Sequence, residues 1–237
     1  MYRRSHHQRI HSALEAMNAD FLRDAKCYVG GGTAIALMLG EYRESLGMDF
    51  LCADQEGYRK IRASVFEKGP RDLFSKPVET IRDIRTDRDA IRAVLSVGGM
   101  PTKFEIVREA RVELEGQDVP GIPVPCLTRN DLFAEKLLAN ADRYADKAVM
   151  SRDVIDLLVM QGAWGAIPAQ AWDKASGAYG DSVRTAFVRA KEMLRTDPQY
   201  FKECLRKMDI PDSVGENLKA ALGLGRNRSQ SMPDLGR

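Results

Sequence analysis

The sequence predicts an α+β protein, with an N-terminal mixed β-sheet flanked by helices and a C-terminal helical bundle behind it. Three observations predict this. A short β-prone run, Cys27-Tyr28-Val29, meets three glycines and a helical stretch, and a second apolar run, Met48 to Cys52, follows a polar loop. Residues 102–107 alternate polar and apolar side chains, as a half-buried strand does. From Thr128 onward the composition turns to amphipathic helices. The predicted division is a sheet domain over 1–127, a helical domain over 128–224 and a polar, disordered tail over 225–237.

The elements follow in order. Residues 5–21 read as one amphipathic helix with Ile10, Leu14, Met17 and Phe21 on its apolar face. His7 and His11 lie four apart on this helix, a spacing zinc sites can use, with His6 beside them, but no Cys or further ligand is near that pair, so exposed helix surface is their expected role. Gly30, Gly31 and Gly32 end the first strand, and Thr33 is placed to cap the next helix. Residues 55–68 read as a helix with Tyr58, Ile61, Val65 and Phe66 as core candidates, broken by Gly69-Pro70. Strands are predicted over 78–84 and 90–97, joined by a turn at 85–89. Residues 122–127 are extended. Thr128 is a helix cap with Asp131 in the first turn, and Leu132, Phe133, Leu137 and Leu138 of helix 129–140 face inward. Four more helices are predicted near 169–178, 181–196, 198–208 and 212–222.

Composition bounds the function. The chain has 237 residues and a net charge of +2, so no global basic bias announces nucleic acid. No apolar run has the length of a membrane span, and the basic N-terminus has no apolar core behind it, so a cytoplasmic protein is expected. Cys27, Cys52, Cys126 and Cys204 are widely spaced and read as reduced and buried. Arginines at 82, 85, 88 and 92 are interleaved with acidic residues, as on a solvated face.

Two features carry chemistry. A helix start behind glycines offers free N–H groups and a positive dipole end, a natural seat for phosphate. Asp49 sits inside an apolar strand, where a carboxylate costs free energy unless it is paired or holds a metal. Strand residues two apart share a face, so a partner carboxylate is expected at 47 or 51. Those positions are Gly47 and Leu51.

The segments GGTAIAL and YRESLGMDF resemble the AbiEii/AbiGii-type nucleotidyltransferase toxins, a branch of the polymerase-β-like nucleotidyltransferase superfamily. Gly31-Gly32-Thr33 matches the first motif, and Asp49 matches the second Asp of an Asp-x-Asp pair whose first place is Gly47 here. Lys136-Leu137 and Arg152-Asp153-Val154-Ile155-Asp156-Leu157 resemble the later motifs of that family. The resemblance implies that Gly31, Gly32, Thr33, Arg43, Ser45, Lys136, Arg152 and Asp156 bind nucleotide. It implies Asp49, Glu105, Lys136 and Asp153 as catalytic residues, with Asp49 and Glu105 as ligands of Mg²⁺ or Mn²⁺. It further implies an NTP substrate, a tRNA or other RNA acceptor, a cognate antitoxin, and a place in a toxin–antitoxin or phage-defence system. Two alternatives stand beside it: a catalytically dead nucleotide- or RNA-binding pseudoenzyme, suggested by Gly47, and a small-molecule (antibiotic) nucleotidyltransferase. If Gly47 is a lost ligand, Asp54 or Glu105 is a candidate replacement.

Overall fold

The computed structural model describes residues 2–224; the predicted tail at 225–237 lies outside the described residues. Seven strands form one mixed sheet: β1 (Cys27–Gly30), β2 (Gly47–Cys52), β3 (Arg85–Thr86), β4 (Ala90–Val97), β5 (Met100–Arg108), β6 (Gly116–Val119) and β7 (Ile122–Leu127). Their spatial order is β3-β4-β5-β2-β1-β7-β6. The β2–β5 and β1–β7 pairs are parallel, and the other neighbours are antiparallel.

Strand period decides the two faces. Met48, Phe50 and Cys52 of β2, with Phe104 and Ile106 of β5, point into a core covered by α1 (Ser5–Glu15), α2 (Ala19–Asp24) and α4 (Gln55–Lys68). Leu51 and Leu127 point the other way. They meet α3 (Gly31–Met38), α5 (Arg129–Arg143) and α6 (Arg152–Trp164), with α7 (Ala169–Tyr179) and α8 (Ser182–Thr196) behind them. A third apolar cluster joins α6 and α8 to α9 (Pro198–Lys207) and α10 (Asp212–Ala221). The α+β class and the four C-terminal helices stand where the sequence places them. All four cysteines are buried and free. No helix among the described residues is long and apolar enough to cross a membrane.

Four expectations are corrected. The helix predicted over 5–21 breaks after Glu15, because the Asn18 side chain accepts from the Phe21 amide and starts α2 afresh. The run 78–84 is not a regular strand. It lies exposed along the sheet edge and pairs only through an isolated bridge between Thr80 and Leu95, while the two-residue β3 falls inside the predicted turn. There Asp87 accepts from the amides of Asp89 and Ala90, both at 2.8 Å, and reverses the chain. Phe66 is 84% exposed and belongs to no core. His7, expected on the surface, is fully buried. The strand β6 has no apolar alternation to announce it.

Candidate active site

A cleft of about 690 Å³ opens on the face of the sheet that carries α3 and α5. Its floor is β2 and β5, one wall is the glycine turn with the loop before β2, and the opposite wall is α5 with the start of α6.

The floor supplies the carboxylates. Parallel pairing sets Asp49 of β2 opposite Glu105 of β5, and Gly47 opposite Lys103. All four line the cleft. Burial pushes the Asp49 carboxyl above its ordinary range; the nearby positive charges of Lys136, Arg152 and Arg143 oppose this, and Glu105 reinforces it. The largest influences on Asp49 are burial and neighbouring charges rather than hydrogen bonds. Glu105 accepts from Arg92 Nε at 2.7 Å. Asp54, a candidate replacement ligand, is elsewhere: it caps α4 through the Gly57 amide at 2.7 Å and pairs with Lys26. Leu51 occupies the other flank of Asp49. Gly47 is not forced by space, because a Cβ there would meet nothing nearer than Lys103 at 3.6 Å.

The glycine turn is shaped by the site itself. Gly31 has φ +66°, and a Cβ on it would lie 2.8 Å from Asp49 Oδ2. A Cβ on Gly32 would run into the Arg43 guanidinium. Only glycine allows this backbone to lie against the carboxylate and the arginine at once. Thr33, expected as the helix cap, is not one: Gly30 holds the cap position, and Thr33 lies inside α3. Its Oγ1 donates instead to the Gly47 carbonyl at 2.5 Å and meets Ser45 Oγ at 2.7 Å. With the Thr33 proton committed to Gly47, Ser45 is the donor in that second bond.

The far wall is an ion knot. Asp156 accepts from Arg43 Nε at 2.6 Å and Nη2 at 2.9 Å, from Tyr42 Oη at 2.5 Å, and pairs with Lys136 Nζ at 2.6 Å. Asp153 takes Lys136 Nζ at 2.9 Å and Arg143 Nε at 2.7 Å. Burial alone would push both carboxyls up, but Arg43 and Lys136 around Asp156, and Lys136 and Arg143 around Asp153, hold both below the carboxylate range. Burial likewise works against the Lys136 charge, and Asp156 and Asp153 outweigh it and raise its pKa. Three cations face two carboxylates, so the knot keeps one net positive charge. Arg43, Lys136 and Arg143 line the cleft, while Asp153 and Asp156 sit behind them.

The structure thus brings Gly31, Gly32, Arg43, Ser45, Asp49, Glu105, Lys136 and Arg152 to one cleft. It sets Thr33, Asp153 and Asp156 one layer back. Sequence reasoning missed Lys103, Arg143, Lys207 and a second cluster at the cleft's far end. There Arg111 Nη2 donates to Glu109 Oε2 at 2.6 Å, and Glu135 lies beside them with Oε1 unpartnered. Burial and the neighbouring Glu109 push the Glu135 carboxyl up to about 8. Arg143 had a signal: it stands seven residues after Lys136, on the same helical face.

The cleft can be tested against a divalent cation. Among the described residues no group of three or more His, Cys, Asp or Glu is arranged to hold a metal. Asp49 and Glu105 nevertheless suit one hard cation that completes its shell with substrate phosphates and water, as Mg²⁺ commonly does. The unsatisfied, desolvated Asp49 carboxylate fits that role.

The family model described as nucleotidyl transferase AbiEii toxin, type IV toxin–antitoxin system, matches residues 12–222. The chain belongs to the AbiEii family. The match covers the glycine turn, both floor strands, Lys136 and the knot. An antigenic nucleotidyltransferase-like protein from Paracoccidioides brasiliensis superposes with a TM-score of 0.50 at 15% identity, over 90% of this chain and 98% of that one. That likeness shows the fold. The Helicobacter pylori protein JHP933 gives 0.36 at 16% identity, over 80% of this chain and 96% of its own. No curated protein matches the sequence. As an AbiEii member the chain is placed among the nucleotidyltransferase toxins.

Proposed function

We propose that this AbiEii-family chain transfers a nucleoside monophosphate from an NTP to an acceptor hydroxyl, with tRNA or another RNA as acceptor, and that a cognate antitoxin restrains it. One observation carries the reading. Asp49 and Glu105 stand in register across β2 and β5, in the cleft shared by the glycine turn and Lys136.

In this reading the triphosphate lies along Gly31 and Gly32, with the Ser45 loop beside it. The net positive knot of Arg43, Lys136 and Arg143 faces its charge, and Arg152 adds a cation with no ion pair among the described residues. Asp153 and Asp156 are positioning residues: they fix the cations before substrate arrives, so little reorganisation remains for the reaction. An acceptor oxygen bonds to the α-phosphorus as the bond to pyrophosphate breaks. The hydroxyl proton passes to Glu105, whose carboxylate Arg92 orients. Asp49 and Glu105 would hold a Mg²⁺ or Mn²⁺, and the chemistry it would supply there is Lewis-acid polarisation of the phosphate oxygens.

Gly47 favours a second reading, in which the chain binds nucleotide and turns it over weakly or not at all. A carboxylate is missing beside Asp49, and the space for one is open. The two readings part in a transfer assay. Wild type and Gly47→Asp are incubated with Mg²⁺, each labelled NTP and total cellular RNA, and label in RNA or protein is read. Labelling by both proteins supports the transferase as it stands. Labelling by the variant alone marks Gly47 as a lesion. Labelling by neither rejects NMP transfer to these acceptors.

A further inference from the structure

His7 lies before the segment that the family model matches, on an N-terminal helix that the cleft chemistry does not use. It is fully buried. Its Nδ1 is 2.9 Å from Glu41 Oε1, and the Ser45 amide donates to its Nε2 at 3.3 Å. These bonds define one tautomer. Glu41 already accepts from the backbone amides of Arg3 at 2.6 Å and Arg4 at 2.9 Å. Burial pushes the Glu41 carboxyl up, but those amides and His7 outweigh it and keep it ionised. The proton between His7 and Glu41 is therefore on Nδ1, which leaves Nε2 as a lone-pair acceptor.

What Nε2 grips is the loop that builds one wall of the cleft. Beyond the Ser45 amide, the Ser45 hydroxyl donates to Thr33, and Thr33 donates to the Gly47 carbonyl. One continuous chain of bonds runs from α1, through the loop, to the helix behind the glycine turn and to the first residue of β2. We propose that His7 is a positioning residue for the nucleotide cleft, holding the 43–47 loop in place through its neutral Nδ1–H tautomer. The inference rests on the reading of the cleft as a nucleotide site.

Protonation would break this grip, because an N–H at Nε2 would face the Ser45 N–H. Burial lowers the His7 pKa, Glu41 and Glu44 oppose that shift, and Arg4 reinforces it. The His6 ring lies beside it, tilted by 59° with centroids 5.9 Å apart, and Arg4 is itself paired with Asp209 from beyond α9. A histidine with a depressed native pKa contributes its full stability above its ordinary value of about 6.5 and loses it as pH falls through the depressed one. The loop should hold at pH 7.5 and loosen as pH falls well below the ordinary histidine range.

Glutamine is the discriminating variant, since its amide oxygen can accept from the Ser45 amide and does not titrate. Dissociation constants for non-hydrolysable analogues of the four NTPs are measured by calorimetry in a pH series from 7.5 down to 4.5, in wild type, His7→Gln and His7→Phe. Phosphate titration on the ligand is common to all three proteins and cancels in ratios between them. At pH 7.5 we expect His7→Gln to bind like wild type and His7→Phe to bind about fivefold to tenfold more weakly, the worth of one lost buried hydrogen bond. Down the series wild type should weaken relative to His7→Gln. A ratio that stays constant down to pH 4.5 overturns the proposal, and so does a folded His7→Phe that binds like wild type. If wild type binds no analogue at all, the nucleotide reading fails on its own. The protection factor of the Ser45 amide by NMR hydrogen exchange then decides the positioning role in the free protein. It should drop between pH 7.5 and 4.5 in wild type and hold in His7→Gln; equal behaviour overturns it.

Discussion

Two charged regions of the cleft are built on opposite principles. In the knot beneath α5 and α6, every carboxylate oxygen is committed: Asp156 to Arg43, Tyr42 and Lys136, and Asp153 to Lys136 and Arg143. On the sheet floor, Asp49 is half-buried at the base of the open cleft, burial still pushes its carboxyl up, and no donor among the described residues hydrogen-bonds it. Saturated charges of the first kind fix geometry. An unsaturated one of the second kind is held at a cost in stability and is available to a ligand. In the proposed reading, the difference separates residues that position from residues that react.

The contrast can be broken first at the knot. Asp156→Ala should cost about 3–5 kcal/mol, because it strands the buried charges of Arg43 and Lys136. Urea unfolding at pH 7 measures it, and a loss below about 1 kcal/mol would show that the knot is not a structural unit. On the floor the same test should invert. Asp49→Asn should lower any NMP transfer by about 10²-fold or more. The melting temperature should hold or rise, since a desolvated carboxylate becomes a neutral amide. A clear drop in melting temperature would make Asp49 a structural residue instead. The smallest expected effect is at the far end of the cleft. The Glu135 carboxyl is raised to about 8, so the native state prefers it protonated. Such a group stabilises the fold fully below its ordinary value of about 4.5, and that stability is lost as pH rises from there to about 8. Glu135→Gln should therefore be indistinguishable from wild type near pH 4 and more stable by on the order of 1 kcal/mol at pH 9. Parallel thermal melts at the two pH values check the sign.

The sheet floor was legible in the sequence because strand period two is local: Asp49 in an apolar run and Glu105 in an alternating one declare their faces from their neighbours alone. Helices α4 to α10 were legible for the same reason. The knot was half legible. Lys136, Asp153 and Asp156 were found through short motifs, but their mutual pairing depends on how α5 crosses α6, which no local pattern carries. Thr33 shows the converse error. A threonine after glycines reads as a cap, yet the turn is set by close packing of Gly31 and Gly32 on Asp49 and Arg43. His7 was misread because the carboxylate that makes its burial affordable, Glu41, lies on a distant loop. The strand predicted over 78–84 failed because β-propensity without a second neighbour leaves an edge unpaired.

The strand order has a consequence for how the protein comes into being on the ribosome. The floor pair of β2 and β5 can assemble once Arg108 has emerged, and β1 is already available to β2. The partner on the other side of β1 is β7, where Val29 meets Cys126, and the cation-bearing α5 follows only after it. Asp156 arrives later still, yet it must reach back to Arg43. Because long-range pairings of this kind form last and N-terminal segments fold as they appear, the growing chain carries its acidic floor well before the basic wall that would face a triphosphate. A chain that stops before α6 lacks Asp153 and Asp156, and with them the carboxylates that fix Arg43, Lys136 and Arg143 along the proposed nucleotide cleft.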